Sequence, residues 1–142
     1  MAMRRLEDIL ANLEVKTLSG SADLELEGVE FDSRKVSNGS LFVATKGTQV
    51  DGHTFIGSAV EKGAVAVVCE DMPAQLAEGV TYVQVKDSSA ALGKISSAWY
   101  DFPSSSLRLV GVTGTNGKTT IATLLYKLFS RMGYKCGLLS TV

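Results

Sequence analysis

Residues 111–120 constrain the fold more than any other stretch, because a glycine-rich turn there meets a lysine that opens a helical pattern. The ten residues read GVTGTNGKTT, after an apolar run and before KTTIATLLYKLF. Glycine lets the backbone curl so that its N–H groups converge, and a helix beginning at Lys118 directs its positive end to the same point. The segment therefore predicts a strand, a phosphate-binding loop and a helix.

The spacing of this loop departs from the general pattern G-x-x-x-x-G-K-[ST], because Val112 stands where that pattern has its first glycine. The glycines fall instead at Gly111, Gly114 and Gly117. A glycine-rich turn with a solvated lysine is the alternative, but the strand before, the helix after and the Gly-Lys-Thr junction favour phosphate binding. The predicted nucleotide-binding residues are Gly114, Thr115, Asn116, Gly117, Lys118, Thr119 and Thr120.

Two of these side chains have distinct expected roles. Lys118 is predicted to reach the β- and γ-phosphates of a nucleoside triphosphate, and Thr119 to place its hydroxyl on Mg²⁺. The expected ligands of this loop are therefore a nucleoside triphosphate and Mg²⁺.

The rest of the chain alternates between helical and strand patterns. The continuous apolar run at 64–70 is typical of a strand covered on both faces. Asp87 is the expected N-cap of a helix that runs to about Tyr100. The other expected helices are at 4–13, 53–63 and from Lys118, and the other strands at 24–31, 40–45, 82–85, 107–113 and 136–142. The pattern predicts an α/β fold.

A domain boundary is expected where Pro103 and three serines interrupt the pattern. We predict one domain at 1–105 and the start of a second at 106–142, whose strand, loop, helix and strand form the first βαβ unit of a parallel sheet. Such a sheet is covered on both faces, so the second domain is expected to be incomplete. Its unpaired strand at 136–142 is expected to favour self-association.

Composition excludes some classes of partner. The formal net charge is −1, from 14 basic and 15 acidic residues, and no basic cluster predicts a nucleic-acid surface. No run approaches the roughly 18 apolar residues of a membrane helix, and the polar N-terminus does not resemble a signal peptide. We expect a cytoplasmic protein without membrane insertion. Cys69 and Cys136 lie in apolar runs without ligand spacing, which predicts buried free thiols.

The stretch T-G-T-N-G-K-T-T after an apolar strand resembles the Mur ligases, ATP-dependent amino-acid ligases that build the peptide of the bacterial cell wall. Folylpolyglutamate synthetases share G-T-N-G-K but usually continue Gly-Ser, whereas this chain continues Thr119-Thr120. Residues 31–68 are similar to the uridine-binding domain of the Mur ligases that add the third residue. The matching positions are Asp32-Ser33-Arg34, residues 39–44, Gly47 and Asp51-Gly52.

The resemblance implies substrate contacts in this first domain. Phe31 and Ser33 match residues that contact the uracil. Thr48, Gln49 and Val50 match a short loop along the uridine and diphosphate, although some members have histidine at the position of Thr48. From residue type alone, Asp32-Ser33 is equally well explained as a simple turn, and a capping or packing role is favoured for His53.

The resemblance also implies a reaction. ATP phosphorylates the D-glutamate carboxylate of UDP-N-acetylmuramoyl-L-alanyl-D-glutamate, and the amine of L-lysine or meso-diaminopimelate then attacks the acyl phosphate, with Lys118 as the catalytic residue. The family's further magnesium ligands, its carbamylated lysine and its amino-acid-selecting domain would lie beyond Val142. We therefore expect the 142 residues to be an N-terminal part that has no ligase activity alone.

Three alternatives remain open from the sequence. The first is a Mur ligase that adds D-alanyl-D-alanine, whose members more often have Asp-Thr-Arg where this chain has Asp32-Ser33-Arg34. The second is a non-catalytic module that binds a uridine nucleotide. The third is a folate-type polyglutamate ligase, which the Thr119-Thr120 pair and the preceding domain disfavour.

Overall fold

The computed structural model describes residues 3–47 and 50–140. The chain divides into two compact units, Met1–Pro103 and Ser104–Val142. The first unit contains a mostly parallel sheet with helices on both faces, which confirms the predicted α/β class. Among the residues that the structure describes, no helix has the length and apolarity to cross a membrane.

Within residues 3–47 and 50–103, the first unit contains seven strands and three α-helices. In chain order they are β1 (Arg4–Arg5), α1 (Leu6–Leu10), β2 (Val15–Ser19), β3 (Glu25–Leu26), β4 (Gly28–Glu30), β5 (Ser40–Val43), α2 (Ile56–Glu61), β6 (Ala64–Cys69), β7 (Thr81–Val85) and α3 (Ser88–Trp99). A 3-10 turn at Gly52–Phe55 leads into α2, and another lies at Pro103–Ser105. The main sheet has the order β2-β7-β6-β5-β4, with β2 antiparallel and the other four parallel, while β1 and β3 form a separate pair.

Two apolar layers cover the main sheet. Ala66 and Val68 of β6 face a core shared with α1 and α3, whereas Val67 and Cys69 face a core shared with α2. Each of these four side chains is fully buried, and the burial raises the pKa of the Cys69 thiol to about 11. The predicted strand buried on both faces is therefore confirmed, as is the free buried thiol at Cys69.

Several element predictions for the first unit were wrong in detail. The helix expected at 4–13 is shortened to α1 because residues 4–5 pair with β3. The strand expected at 24–31 is divided at Glu27 into β3 and β4, which join different sheets. The edge strand β2 was missed because Val15 and Leu18 are exposed, so its sequence lacks a buried alternation.

Among its described residues, the second unit contains one α-helix, α4 (Lys118–Arg131), which ends near Gly133 as predicted. Within residues 104–140, the strands expected at 107–113 and 136–140 do not form, because a strand needs a neighbouring backbone to accept and donate its hydrogen bonds. Cys136 is exposed, so its predicted burial was wrong. Residues 141–142 lie outside the described chain, and self-association stays a prediction.

Gly63 tests the packing of the first unit, because its backbone has φ of +101° and accepts a hydrogen bond from Gly39 N–H at 3.0 Å. An added Cβ would lie 2.8 Å from the Cα of Asn38. We expect Gly63→Ala to lower the free energy of unfolding by about 1–3 kcal/mol, through strain and a backbone contact that cannot relax easily. Urea unfolding followed by circular dichroism measures it.

The matched control is Gly93→Ala in the middle of α3, where an added Cβ meets nothing within 4 Å. We expect this change to raise the free energy of unfolding by about 0.5–1 kcal/mol, because alanine is the better helix former. A Gly63→Ala protein as stable as the wild type would contradict the left-handed backbone at that position.

Candidate functional site

Of the predicted substrate residues, Phe31, Ser33 and Val50 follow the carboxyl ends of β4 and β5 at one edge of the sheet. The two strands are adjacent and parallel, so the loops that follow them leave the sheet side by side. Phe31 follows β4 and is 61% exposed; Val50, in the loop after β5, is 56% exposed. Thr48 and Gln49 lie outside the described residues. Large apolar side chains exposed at such an edge are suited to a ligand with a planar ring.

A tight turn carries Ser33. The Arg34 guanidinium donates to both carboxylate oxygens of Asp32, from Nε to Oδ1 at 2.9 Å and from Nη2 to Oδ2 at 2.7 Å, and the Arg34 backbone N–H also donates to Oδ1. These bonds hold the pKa of the Asp32 carboxyl well below its usual range. Lys62 donates to the Ser33 carbonyl at 2.8 Å. The local turn expected from residue type is thus present, and Ser33 lies within it, two residues after the exposed Phe31.

The loop after β5 is closed at its base by backbone contacts. Lys46 and Asp51 form an antiparallel bridge, and the Gly52 N–H donates to the Thr45 carbonyl at 2.8 Å. Within the loop, the Gly47 N–H donates to the Val50 carbonyl at 3.1 Å, and a Cβ on Gly47 would lie 2.7 Å from that carbonyl oxygen. Glycine is therefore needed at this position for the close approach of the two backbones.

Glu70 lies directly after β6 and contacts the start of α3 and the loop after β5 at this edge. Its carboxylate accepts hydrogen bonds from the backbone N–H and the hydroxyl of Ser88, at 2.9 and 2.8 Å, and Lys46 Nζ lies 3.2 Å from its other oxygen. The bonds from Ser88, followed by those from Lys46, lower the pKa of Glu70. Lys46 also pairs with Asp71 at 2.7 Å. Sequence reasoning missed Glu70; its signal is an acidic residue at the end of a buried strand.

His53 joins the same cluster. Its Nε2 atom lies 2.9 Å from the backbone nitrogen of Glu70, and its Nδ1 atom lies 2.6 Å from Asp51 Oδ1. Asp51 also accepts the His53 backbone N–H, so Asp51 caps the 3-10 turn. The sequence favoured a capping or packing role for His53; the capping residue is Asp51, and the ring of His53 packs against the Glu70 backbone, a contact that was not predicted.

The phosphate loop in the second unit has the conformation that its glycines allow. Gly114 and Gly117 have φ of 149° and 75°, values that favour glycine, whereas Gly111 does not have a positive φ. The backbone conformation therefore requires glycine at two of the three positions. Gly117 is the N-cap of α4 and no side chain caps this end of the helix. Lys118 Nζ donates to the Gly114 carbonyl at 2.5 Å. The ammonium group thus lies against the loop itself.

These residues fit the phosphates of a nucleotide. Gly117, the N-cap of α4, has no side chain to accept from the first-turn N–H groups, and an adjacent ammonium group supplies positive charge. The described residues contain no cluster of three or more His, Cys, Asp or Glu side chains that would hold a metal. Thr119 Oγ1 lies 3.4 Å from Ser140 Oγ, and a hydroxyl oxygen is of the donor type that Mg²⁺ accepts.

Glu70 gives the first unit a defined pH dependence. Because its pKa is lowered in the folded protein, the unfolded chain binds this proton more readily; the stabilisation is complete above the ordinary value of 4.5 and is lost as pH falls through the folded value. We expect Glu70→Gln to reduce the loss of stability on acidification below about pH 4.5, measured by thermal unfolding at several pH values.

Glu61→Gln, at an exposed position in α2, removes a carboxylate from the same unit and serves as the control. If Glu70→Gln and Glu61→Gln had the same effect on the loss of stability at low pH, that result would contradict a contribution of the contacts from Ser88 and Lys46 to the pH dependence of stability.

The sequence matches two family profiles, "Mur ligase family, catalytic domain" over residues 25–100 and "Mur ligase middle domain" over residues 112–142. It is 58% identical over 138 residues to the UDP-N-acetylmuramoyl-L-alanyl-D-glutamate--2,6-diaminopimelate ligase of Bacteroides fragilis. That alignment covers 97% of this chain and 28% of the relative, so the chain spans less than a third of the relative's length.

Solved structures agree with the fold. The MurF ligase of Thermotoga maritima in complex with ADP is 34% identical, with a TM-score of 0.56 over 72% of this chain and 23% of that one. A MurF structure from Acinetobacter baumannii, 22% identical, shows the same fold with a TM-score of 0.68 over 92% of this chain and 28% of that one. The first profile matches more than half of the 142 residues of this chain, and the chain therefore belongs to the Mur ligase family.

Proposed function

We propose that this chain carries the uridine-nucleotide-binding part and the phosphate loop of a peptidoglycan-precursor ligase. The ligase adds a diamino acid to UDP-N-acetylmuramoyl-L-alanyl-D-glutamate with consumption of ATP. The observation that carries the proposal is the 58% identity, over 97% of this chain, to a relative named for that reaction with 2,6-diaminopimelate. A cytoplasmic location is part of the same proposal.

The two proposed domains divide this work. Residues 1–105 bind the substrate's uridine nucleotide and residues 106–142 begin the ATP-binding domain. The two profile matches, at 25–100 and 112–142, support this division, as does the separation of the compact units between Pro103 and Ser104.

In the first domain the exposed ring of Phe31 offers a face for the uracil, and Ser33 offers a hydroxyl and backbone groups to its polar edge. Thr48, Gln49 and Val50 are proposed to lie along the uridine and diphosphate. The bridge between Lys46 and Asp51 supports this role, since fixed ends lower the entropy that a loop loses when it binds.

In the second domain the residues Gly114, Thr115, Asn116, Gly117, Lys118, Thr119 and Thr120 are proposed to hold the triphosphate. When bound, Mg²⁺-ATP supplies the phosphoryl group that converts the D-glutamyl carboxylate into an acyl phosphate. The Lys118 ammonium group neutralises the negative charge that develops on the transferred group, and the Thr119 hydroxyl helps to hold Mg²⁺. The backbone N–H groups at the start of α4 orient the phosphates.

The amino acid added is proposed to be 2,6-diaminopimelate rather than L-lysine, because the relatives at 52–58% identity are named for it. The D-alanyl-D-alanine-adding reaction is the second candidate, since structures of ligases of that type share the fold. The solved structures do not separate the two reactions, because a diaminopimelate ligase structure is 24% identical, within the 22–34% of the other type. The first reaction is favoured by the named relatives at 52–58% identity.

Calorimetric titration of the chain with UDP-N-acetylmuramoyl-L-alanyl-D-glutamate tests the first domain. We expect one binding site, and we expect Phe31→Ala to weaken binding about 3- to 10-fold through loss of ring stacking. Phe102→Ala, which removes another exposed ring of the same unit, is the control and is expected to retain the wild-type affinity. A folded wild-type chain that does not bind the nucleotide would contradict the proposal.

Titration with Mg²⁺-ATP tests the phosphate loop. Lys118→Met is expected to weaken binding about 10- to 100-fold, because it removes a charged hydrogen-bond donor to phosphate. Lys127→Met makes the same change in charge at an exposed position of α4 and is expected to leave the affinity unchanged. Equal effects of the two variants would argue against a phosphate contact from Lys118. Binding of the uridine nucleotide without any binding of ATP would instead favour a non-catalytic module.

A further inference from the structure

One face of the main sheet is covered by a short helix and an irregular segment, and a cavity lies at this cover. α2 has only six residues, and the described segment 71–80 that follows β6 contains no helix or strand. Residues of α2, of the segment 71–77 and of β7 line a cavity of about 410 Å³. This volume lies within the range of small-molecule sites. None of the lining residues is among those proposed to bind either nucleotide.

The walls of the cavity are mostly apolar. Ile56 and Val60 of α2, Met72 and Pro73 of the following segment and Tyr82 of β7 contribute to them. Ile56 and Tyr82 are 6% and 2% exposed, and Val60 and Met72 pack against the same core, so these walls are held in place by packing. Aliphatic, thioether and aromatic surfaces together are suited to an aromatic ring.

Tyr82 brings a hydrogen-bond donor to this apolar lining. Its hydroxyl accepts the Ala77 N–H at 3.2 Å, and both residues line the cavity. A tyrosine hydroxyl also has one proton to donate, and among the residues that the structure describes no acceptor takes that proton. Because Tyr82 is almost fully buried, an acceptor on a ligand in the cavity would pair a donor that is otherwise costly to bury.

Gly57 of α2 leaves space at the cavity that a side chain would fill. It is exposed, it lines the cavity, and an added Cβ would meet nothing within 4 Å. Its φ does not lie in the left-handed region, so neither the backbone nor a close contact requires glycine there. Glycine is nevertheless less favourable than alanine within a helix. Access to the cavity gives this glycine a function.

The charges beside the cavity disfavour an anion. The Asp71 carboxylate belongs to the lining, and its partner Lys46 is shared with Glu70, so two carboxylates face one ammonium group. His53 also lines the cavity, but its Nε2 atom accepts the Glu70 N–H and therefore carries no proton. A neutral ligand avoids repulsion from these carboxylates.

We propose that this cavity binds a small neutral aromatic molecule that has a carbonyl group. The ring packs against the apolar walls, and the carbonyl oxygen accepts the hydroxyl proton of Tyr82. The site goes beyond the proposed function and does not depend on it, because it needs neither the uridine nucleotide nor ATP.

Proton–nitrogen NMR titration of the chain with acetanilide, a neutral phenyl amide, tests the site. We expect saturable shifts that centre on the amide signals of Gly57 and Ala77. Toluene has the ring without the acceptor, and benzoate has the ring with a negative charge. We expect both to bind at least about fivefold more weakly than acetanilide.

Two substitutions in α2 and α3 form a matched pair. Gly57→Leu is expected to weaken acetanilide binding by at least about tenfold, because the new side chain takes up space in the cavity, whereas Gly93→Leu, at an exposed helical glycine outside the lining, is expected to retain the wild-type affinity. Tyr82→Phe is expected to abolish the preference for acetanilide over toluene. Thermal unfolding records whether each variant is folded.

The titration of the wild-type chain decides the matter even where a variant does not fold. Absence of saturable shifts, shifts that centre away from the cavity, or equal affinities for acetanilide and toluene would overturn the proposal. Equal affinities of folded Gly57→Leu and Gly93→Leu proteins for acetanilide would overturn it as well.

Discussion

The structure of the first unit depends on one strand that can exist only in the middle of a covered sheet. β6 is hydrogen-bonded to β5 on one side and to β7 on the other, and its side chains are buried on both faces. Such a strand has no freedom to shift, because a slip of one residue would exchange its two apolar faces. The residues at its carboxyl end are therefore among the best-fixed points of the unit, and Glu70 is the first of them.

Glu70 forms hydrogen bonds with several neighbouring segments. The Glu70 carboxylate accepts the N–H of Ser88 at the start of α3, its backbone N–H is accepted by His53, and its carbonyl accepts a bond from Gln84 at 2.9 Å. Within the described residues no buried side-chain nitrogen or oxygen lacks a partner. A fully satisfied polar network of this kind holds its members in one arrangement, since breaking any bond leaves a desolvated group unpaired. Among the described residues, Lys46 and His53 on either side of the 46–51 segment are held by this network.

The features that could be predicted from the sequence are those that depend on short segments of the chain. The buried run at 64–69, the cap at Asp87 and the turn before Lys118 depend on residues close in the chain, and each was found. The division of 24–31 between two sheets, by contrast, depends on partner strands far away in sequence. Pairing also explains the error at 107–113 and 136–140, where apolar residues were read as strands although nothing in the described second unit pairs with them. Phe31 and Ser33 were assigned from the family resemblance. The contact between His53 and Glu70 was predicted neither from the sequence pattern nor from the resemblance.

The two proposed nucleotide sites therefore differ in what supports them. The substrate loops depend on long-range contacts with a buried sheet, whereas the phosphate loop depends on local backbone conformation at Gly114 and Gly117 and on the end of α4. In the second site Lys118 donates to the neutral carbonyl of Gly114. A phosphate oxygen carries charge, and a charged acceptor makes a hydrogen bond roughly twice as strong as a neutral one. Exchange of the Gly114 carbonyl for a phosphate oxygen as the acceptor of Lys118 thus favours the bound state. This exchange requires movement of the flexible Lys118 side chain rather than of the loop.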